Sequence, residues 1–460
     1  MLPHIVIIDD GVDDEHFDFQ VQSDLEYCHQ AGRFVERLHT NTVERVSHGT
    51  ICAAIIRQYF GSFICSSLKI LGAEWKCNIQ ALLAALDWCI AHDVDIVNMS
   101  LGSTDFRDEE RLLAKVNELA RKTTMVAAQS NDYLRSYPAC FTNVICVNNL
   151  VTDSSDLILR RADVDGVDIS AKGIHHLTPR YGSAFCTDNA NSYAAPFVTA
   201  QICGHLTQSR KKEFYLAKMS GCDPAQFHRS YPIPDWIREA IVLSNSGAPD
   251  NLPYKVHSWR LDDFLGFPLR KKQVGNADSL VVLLDRSSIT QGDMSSLLSI
   301  AADYELDVVM TDELLDGHNE EIDGSKCRMW TPASSRIEVE FKRTDVEIPI
   351  VEIYHKDLFE LIQRSLDLRK HFRECGYNAT LVLRNSIAGI FGLMYIPPSQ
   401  NISKIFRKIT HYAASDIILV ACEGDGTEES SVTADMHMVL ADYKDTIGLY
   451  NRIVENFCAV

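Results

Sequence analysis

At 460 residues the chain is long for one domain and comfortable for two or three, and its 46% hydrophobic, 23% charged composition is ordinary for a globular protein. No uninterrupted apolar run reaches the ~20 residues that span a bilayer, and a formal net charge of −19 argues against the basic surface of a general nucleic-acid binder. The 14 cysteines are scattered without a CxxC pair or zinc-type spacing, so reduced, structural thiols are expected.

The first element is a strand, His4-Ile5-Val6-Ile7-Ile8, which follows Met1 with no basic leader and no small-residue cleavage site. No secretory signal is expected, nor a prosegment, and the predicted location is cytoplasmic. From 1 to 210, short β-like runs alternate with helical patterns, which predicts a parallel α/β sheet flanked by helices. Ile51 to Phe60 is helix-like, and Ile79, Leu82, Leu83, Leu86 and Ile90 recur at helical spacing. Strands are predicted at Val94 to Met99, Thr124 to Ala128 and Asn143 to Val147, with a charged helix from Glu109 to Arg121 and a buried helix from Ala194 to Leu206.

The composition changes after Leu206. Ser209-Arg210-Lys211-Lys212-Glu213 reads as a charged surface run, and Asp223 to Leu243 as helices broken by Pro232 and Pro234. Residues 211–250 are therefore predicted to form a helical linker, followed by α/β domains at 251–345 and 346–460 that are separate or one unit. Predicted strands are Ser279 to Leu284, Asp307 to Met310, Pro349 to Tyr354, Ala379 to Leu383 and Asp416 to Ala421. Helices are predicted at Gly292 to Tyr304, Leu358 to Cys375 and Met436 to Phe457.

Three short segments carry chemistry. The strand Ile5 to Ile8 ends in Asp9-Asp10-Gly11-Val12, and the carboxyl ends of strands are where open α/β sheets build sites. His48-Gly49-Thr50 opens a helix-like segment, so the histidine can face outward while backbone packs closely behind the glycine. Asn191-Ser192-Tyr193-Ala194-Ala195-Pro196 places a serine at a loop-to-helix junction, where unpaired N–H groups favour a developing negative charge. Taken singly, each has a bland alternative. Asp9 is then a turn residue, His48 a loop residue, Ser192 a helix cap and Pro196 a first-turn proline.

Together these segments resemble the subtilisin family of serine peptidases. Ile7 to Val12 is similar to the family's aspartate motif, and its Asp-Asp-Gly form to the kexin-like branch; Glu15 to Phe19 follows where the family often has His-Pro-Asp-Leu. His48-Gly49-Thr50 with Cys52-Ala53 matches the histidine motif. Val97 to Gly102 matches the edge-strand motif, and Val126 to Asn131 the motif carrying the oxyanion asparagine. Tyr137-Pro138-Ala139 and Asn143 to Ile145 continue the match, and the order Asp, His, Ser is the family's own. The resemblance covers residues 1 to about 207.

It implies a serine endopeptidase in which Ser192 attacks, His48 takes its proton and Asp9 orients the imidazole. Asn131 is implied as oxyanion donor, a group whose loss typically costs about 10²–10³ in kcat. Substrate would pair along Ser100, Leu101 and Gly102, with Ala128, Gln129 and Ser130 beside the primary specificity pocket. Asp10 is expected to be a structural neighbour. Three positions depart from the family: Ala190-Asn191-Ser192-Tyr193 for Gly-Thr-Ser-Met, Gln129-Ser130 for Ala-Gly, and Ala171-Lys172-Gly173 for Ala-Pro-Gly.

The C-terminal half has the strand–loop–helix form of a phosphate-binding unit at Pro349 to Asp357 but lacks GxxxxGK[ST]. It faintly resembles degenerate P-loop-like domains of bacterial peptide-maturation systems, and a docking role is preferred to nucleotide binding. The expected substrate is a peptide or precursor peptide, cleaved with narrow specificity as in leader removal, with a maturation-system protein as partner and neither nucleic acid nor membrane involved. A general or kexin-like protease and a silent peptide-binding scaffold are the alternatives. No cofactor is expected; calcium at Asp153 to Asp168 is left open, with a solvated acidic loop preferred.

Overall fold

The computed structural model describes residues 2–458 except 18, 39–45, 73, 152–154, 162, 207–210, 225–226, 228, 267–273, 285–287, 312–326, 334, 336, 338–347, 398–399, 401 and 428–433. Two compact units divide the chain: Met1–Arg161 with Asp165–Phe227, and Ala162–Val164 with His228–Val460.

The first unit is a nine-stranded sheet. Its strands are β1 His4–Asp9, β2 Val21–Cys28, β3 Arg33–Glu36, β4 Ile64–Lys69, β5 Ile96–Met99, β6 Thr124–Ala128, β7 Val144–Asn149, β8 Leu157–Leu159 and β9 Ile169–Ala171. They run in the order β3-β2-β4-β1-β5-β6-β7-β9-β8, antiparallel only at the two edge pairs β2–β3 and β8–β9. A hairpin of β10 His176–Leu177 and β11 Phe185–Cys186 lies outside it.

Strand alternation builds two cores. Ile5, Ile7, Val126, Ile145 and Val147 point to one face, against helices α1 His48–Phe60 and α4 Asn191–Cys203. Val6, Ile8, Met125, Val144 and Cys146 point to the other, against α2 Ile79–Ala91 and α3 Glu109–Leu119. Buried on both faces, these strands read as continuous apolar runs, which is why the sequence announces them. Strands β2 and β4 were not anticipated. In β2, Asp24 and Glu26 interrupt any apolar pattern, and the strand is only half-buried.

One part of the charged run after Leu206 is buried. Ser209 and Arg210 lie outside the described residues, but Lys212 and Glu213 are buried at the start of α5 Lys212–Ser220. Lys212 Nζ donates to both Asp168 oxygens at 3.0 and 3.1 Å and to the Val144 carbonyl at 3.1 Å. A partner 44 residues back along the chain leaves no local trace in sequence. Lys212→Met strips a buried carboxylate of its cation and is expected to cost about 3–5 kcal/mol. Urea unfolding would read it as a lower midpoint at unchanged slope. A loss below about 1 kcal/mol, the level of an exposed pair, would return Lys212 to the surface class.

The second unit holds two parallel five-stranded sheets. One has β12 Glu239–Ser244, β13 Lys255–Trp259, β14 Ser279–Leu283, β15 Asp307–Met310 and β16 Met329–Trp330 in the order β13-β12-β14-β15-β16. The other has β17 Ile350–His355, β18 Ala379–Leu383, β19 Met394–Tyr395, β20 Ile417–Glu423 and β21 Met436–Val439 in the order β19-β18-β20-β17-β21. The helical linker predicted at 211–250 is corrected here. Among the described residues of that span α5 is the one α-helix, and β12 is an inner strand whose residues Ala240 to Leu243 are wholly buried. A four-residue apolar run fits a buried helix or strand equally well until its neighbours are known. Met436–Val439 is likewise a strand, and the terminal helix begins at Thr446. No described helix is long and apolar enough to cross a membrane.

Candidate active site

Asp9 ends β1, the strand from which the chain leaves in both directions across the sheet, to β4 on one side and β5 on the other. Crevices at the carboxyl ends of strands beside such a reversal are the ligand sites of open sheets. Ser100 follows β5, Gln129 follows β6, and the N-termini of α1 and α4 arrive at the same end.

His48 is the first residue of α1. Ser47 caps the helix, accepting from the Thr50 N–H at 3.3 Å and donating to the Gly11 carbonyl at 2.9 Å. Asp10 completes the cap by accepting from the His48 and Gly49 N–H groups at 3.0 and 2.8 Å. Its role is structural, holding the helix start against the aspartate loop. A Cβ on Gly49 would meet the Gly11 carbonyl at 2.5 Å, so the glycine lets the backbone close in while the ring faces the site.

The ring Nδ1 lies 2.9 and 3.1 Å from the two oxygens of Asp9, which is fully buried. Burial disfavours the imidazolium, but the groups against it, the Cys52 sulfur and the Asp9 carboxylate, outweigh burial and raise the His48 pKa. The Cys52 pKa is itself raised, chiefly by burial, so that thiol stays neutral and Asp9 is the charge that favours protonated His48. Cys52 Sγ lies 3.8 Å from His48 Nδ1 and 3.7 Å from the Ser192 carbonyl, joining the two helices.

Ser192 is the second residue of α4, whose N-cap is Ala190. It is thus inside the helix and not its cap, and Pro196 sits at the sixth position and not in the first turn. Proline there lacks the N–H that would reach the carbonyl four residues back, which is that of Ser192. The Ser100 hydroxyl fills the gap, donating to the Ser192 carbonyl at 2.8 Å. The Ser192 N–H takes no backbone partner among the described residues, whereas Tyr193 and Ala194 both donate to Ala190.

Asn191, a departure from the motif, and Gly173, where the family's glycine is kept, gain a physical meaning. Asn191 accepts from the Asn149 N–H at 2.8 Å and donates to the Gln129 and Ser130 carbonyls at 3.1 and 3.0 Å. It ties the ends of β6 and β7 to the residue before Ser192. Gly173 is needed for close approach, since a Cβ there would meet Ala190 O at 2.7 Å and Ala190 N at 2.8 Å. Gly173→Ala is expected to displace the turn that carries Ser192 and lower kcat by about 10²-fold with KM little changed. Steady-state kinetics on a peptide substrate would check this, and a kcat within about twofold of wild type would show that the turn tolerates the methyl.

Around them, Ala128 and Gln129 are buried and Ser130 half-buried, while Asn131 is exposed in the turn closed by Tyr133 N–H to Ser130 carbonyl at 3.0 Å. Leu101 and Gly102 extend from β5; their main chain makes no turn or loop bond among the described residues, in contrast to Ser103, which bridges Tyr137. Cys52, Asn191 and Trp75 were not singled out as site residues. Trp75 meets His48 edge-on with ring centroids 5.6 Å apart, and nothing local marks it. Asp18 and Asp153 lie outside the described residues. In the acidic loop, Asp156 pairs with Lys172 at 2.9 Å and Asp165 with Arg160 at 3.8 Å.

A family model described as the Subtilase family matches residues 3–242. Minor extracellular protease Epr of Bacillus subtilis (strain 168) is 31% identical over 140 residues, 30% of this chain and 21% of that protein. Subtilisin BL of Lederbergia lenta is 30% identical over 139 residues, 29% of this chain and 49% of that protein. The chain thus spans less than half the length of either relative. Among solved structures, a cold adapted subtilisin-like serine proteinase aligns with a TM-score of 0.35 and 19% identity, over 44% of this chain and 74% of that one.

Proposed function

This chain belongs to the subtilase family, and from that premise we propose that it is a serine endopeptidase working through an acyl-enzyme. The observation that carries the reading is the two-oxygen contact of buried Asp9 with His48 Nδ1, at 2.9 and 3.1 Å, beside the helix that bears Ser192. In this reading the Ser192 oxygen bonds to the peptide carbonyl carbon as its proton passes to His48 Nε2. The carbonyl electron pair moves onto oxygen, which the Asn131 amide and the Ser192 N–H receive. Collapse breaks the C–N bond and the leaving amine takes the proton from His48. Water, activated in the same way, then frees the acyl group.

The substrate is an extended peptide pairing along Ser100, Leu101 and Gly102, with Ala128, Gln129 and Ser130 beside its primary side chain. We read it as a processing enzyme of narrow specificity, removing a leader from a precursor peptide in the cytoplasm. Free cysteines support that compartment, Cys77, Cys186, Cys222 and Cys375 among them being exposed. The second unit serves as a docking module for a maturation-system partner. Its helix Leu358–Glu374 is capped by the Asp357 carboxylate with Glu360 in the first turn, and Lys356 is paired with Asp425 at 3.2 Å. A carboxylate therefore occupies the position a phosphate would take. No cofactor enters this mechanism, and calcium stays a matter for titration.

The test is labelling by a fluorophosphonate probe, followed by proteome-wide cleavage profiling against the Ser192→Ala protein. Labelling of Ser192 with a short set of related cleavage sites supports the reading. No labelling would favour a peptide-binding scaffold, and rapid degradation of casein would overturn narrow specificity.

A further inference from the structure

We infer that Tyr193 and Trp75 are positioning residues that clamp the His48 imidazole, an inference resting on the peptidase reading above. Tyr193, standing where the family has methionine, lies against His48 with ring centroids 4.9 Å apart and planes 30° from parallel. Trp75 approaches from another direction, 5.6 Å away and at 85°. Its backbone is left-handed at φ 58°, a conformation that disfavours any residue with a Cβ, and the residue is 53% exposed. A strained backbone that holds an exposed aromatic against one histidine is the signature of a placed group. Together with the Asp9 contact at Nδ1, the two rings leave the imidazole one orientation.

The chemistry of the step gives the clamp its purpose. When Ser192 attacks, its proton moves to His48 and the ring becomes a cation, which an aromatic face attracts. Burial raises the Tyr193 pKa above that of an ordinary phenol, so the ring meets the imidazolium as a neutral π face. The ionisable groups facing His48 are the Asp9 carboxylate from β1, the Asp10 carboxylate on its own N–H, the Cys52 thiol one turn along α1 and Tyr193 itself from α4. Asp9 supplies the charge, and the two rings supply orientation and a polarisable wall.

Three variants, Tyr193→Leu, Tyr193→Phe and Trp75→Ala, are compared with wild type by two readouts. One is NMR titration of the His48 ring, which needs no turnover; the other is the pH profile of Ser192 labelling by a fluorophosphonate. Tyr193→Leu is expected to move both midpoints to lower pH and to slow labelling on the high-pH plateau about 3- to 30-fold. Tyr193→Phe should restore both to near wild type, and exposed Trp75→Ala should broaden the His48 resonances. Unchanged midpoint and plateau in Tyr193→Leu would overturn the clamp, as would a Phe variant no better than Leu. A wild type that the probe does not label would sink the peptidase reading alone, and the ring titration would still decide the clamp.

Discussion

Ser192→Ala is expected to lower kcat by about 10⁶ while leaving the fold intact. The two halves of that expectation have different sources. Every contact described for residue 192 uses its main chain: the carbonyl accepts from the Ser100 hydroxyl at 2.8 Å and lies 3.7 Å from Cys52 Sγ. Alanine keeps both, so thermal stability should stay within about 0.5 kcal/mol of wild type. The hydroxyl, by contrast, is the bond-forming atom. Without it His48 has no proton to take, and what remains is binding and oxyanion stabilisation, typically about 10³–10⁴ over water. Because nucleophile and base act as a unit, adding His48→Ala to Ser192→Ala should cost almost nothing further. Peptide turnover and melting curves on both variants check this. A residual kcat above about 10⁻² of wild type would place the nucleophile elsewhere, and a large fall in melting temperature would mean that Ser192 is structural.

Much of the first unit was legible in the sequence because each part is local. Asp9, His48 and Ser192 sit at element boundaries where glycine, cap and turn chemistry are visible within six residues, and β1, β6 and β7 are unbroken apolar runs. The glycine after His48 signalled a close approach, and the Gly11 carbonyl is what it approaches. What stayed hidden depends on pairings across the chain. Lys212 looked solvated because Asp168 is distant in sequence, and the three carbonyl and amide contacts of Asn191 come from the end of β7 and the two residues after β6. Pro196 misled in an instructive way. Its place in the helix is tolerated because the carbonyl it abandons finds a side chain on another strand's end. In the second unit, β12 was read as helix because four buried apolar residues carry no period.

Asp9→Asn is expected to lower kcat by about 10⁴ and to move the lower inflection of the kcat/KM profile to lower pH. Wild-type His48 has a pKa above the ordinary imidazole value of 6.5, because the groups facing Nδ1, the Cys52 sulfur and the Asp9 carboxylate, overcome burial. Only the neutral ring can accept the Ser192 proton, so wild-type activity should climb as pH rises through that raised value. Asparagine removes the charge while burial persists, and the balance tips toward the neutral ring. The variant therefore has more neutral His48 at pH 7 than wild type has, and is still slower. Abundance of the base is not the limit; the stabilised imidazolium and the tautomer that Asp9 fixes are. Stability carries the matching sign. A raised folded-state pKa contributes stability that is fully present below 6.5 and fades as pH rises through the folded value. The melting-temperature gap between wild type and Asp9→Asn should therefore be wider at pH 6 than at alkaline pH. A pH-independent gap, or an inflection that does not move, would mean that the 2.9 Å contact at Nδ1 orients the ring without charging it.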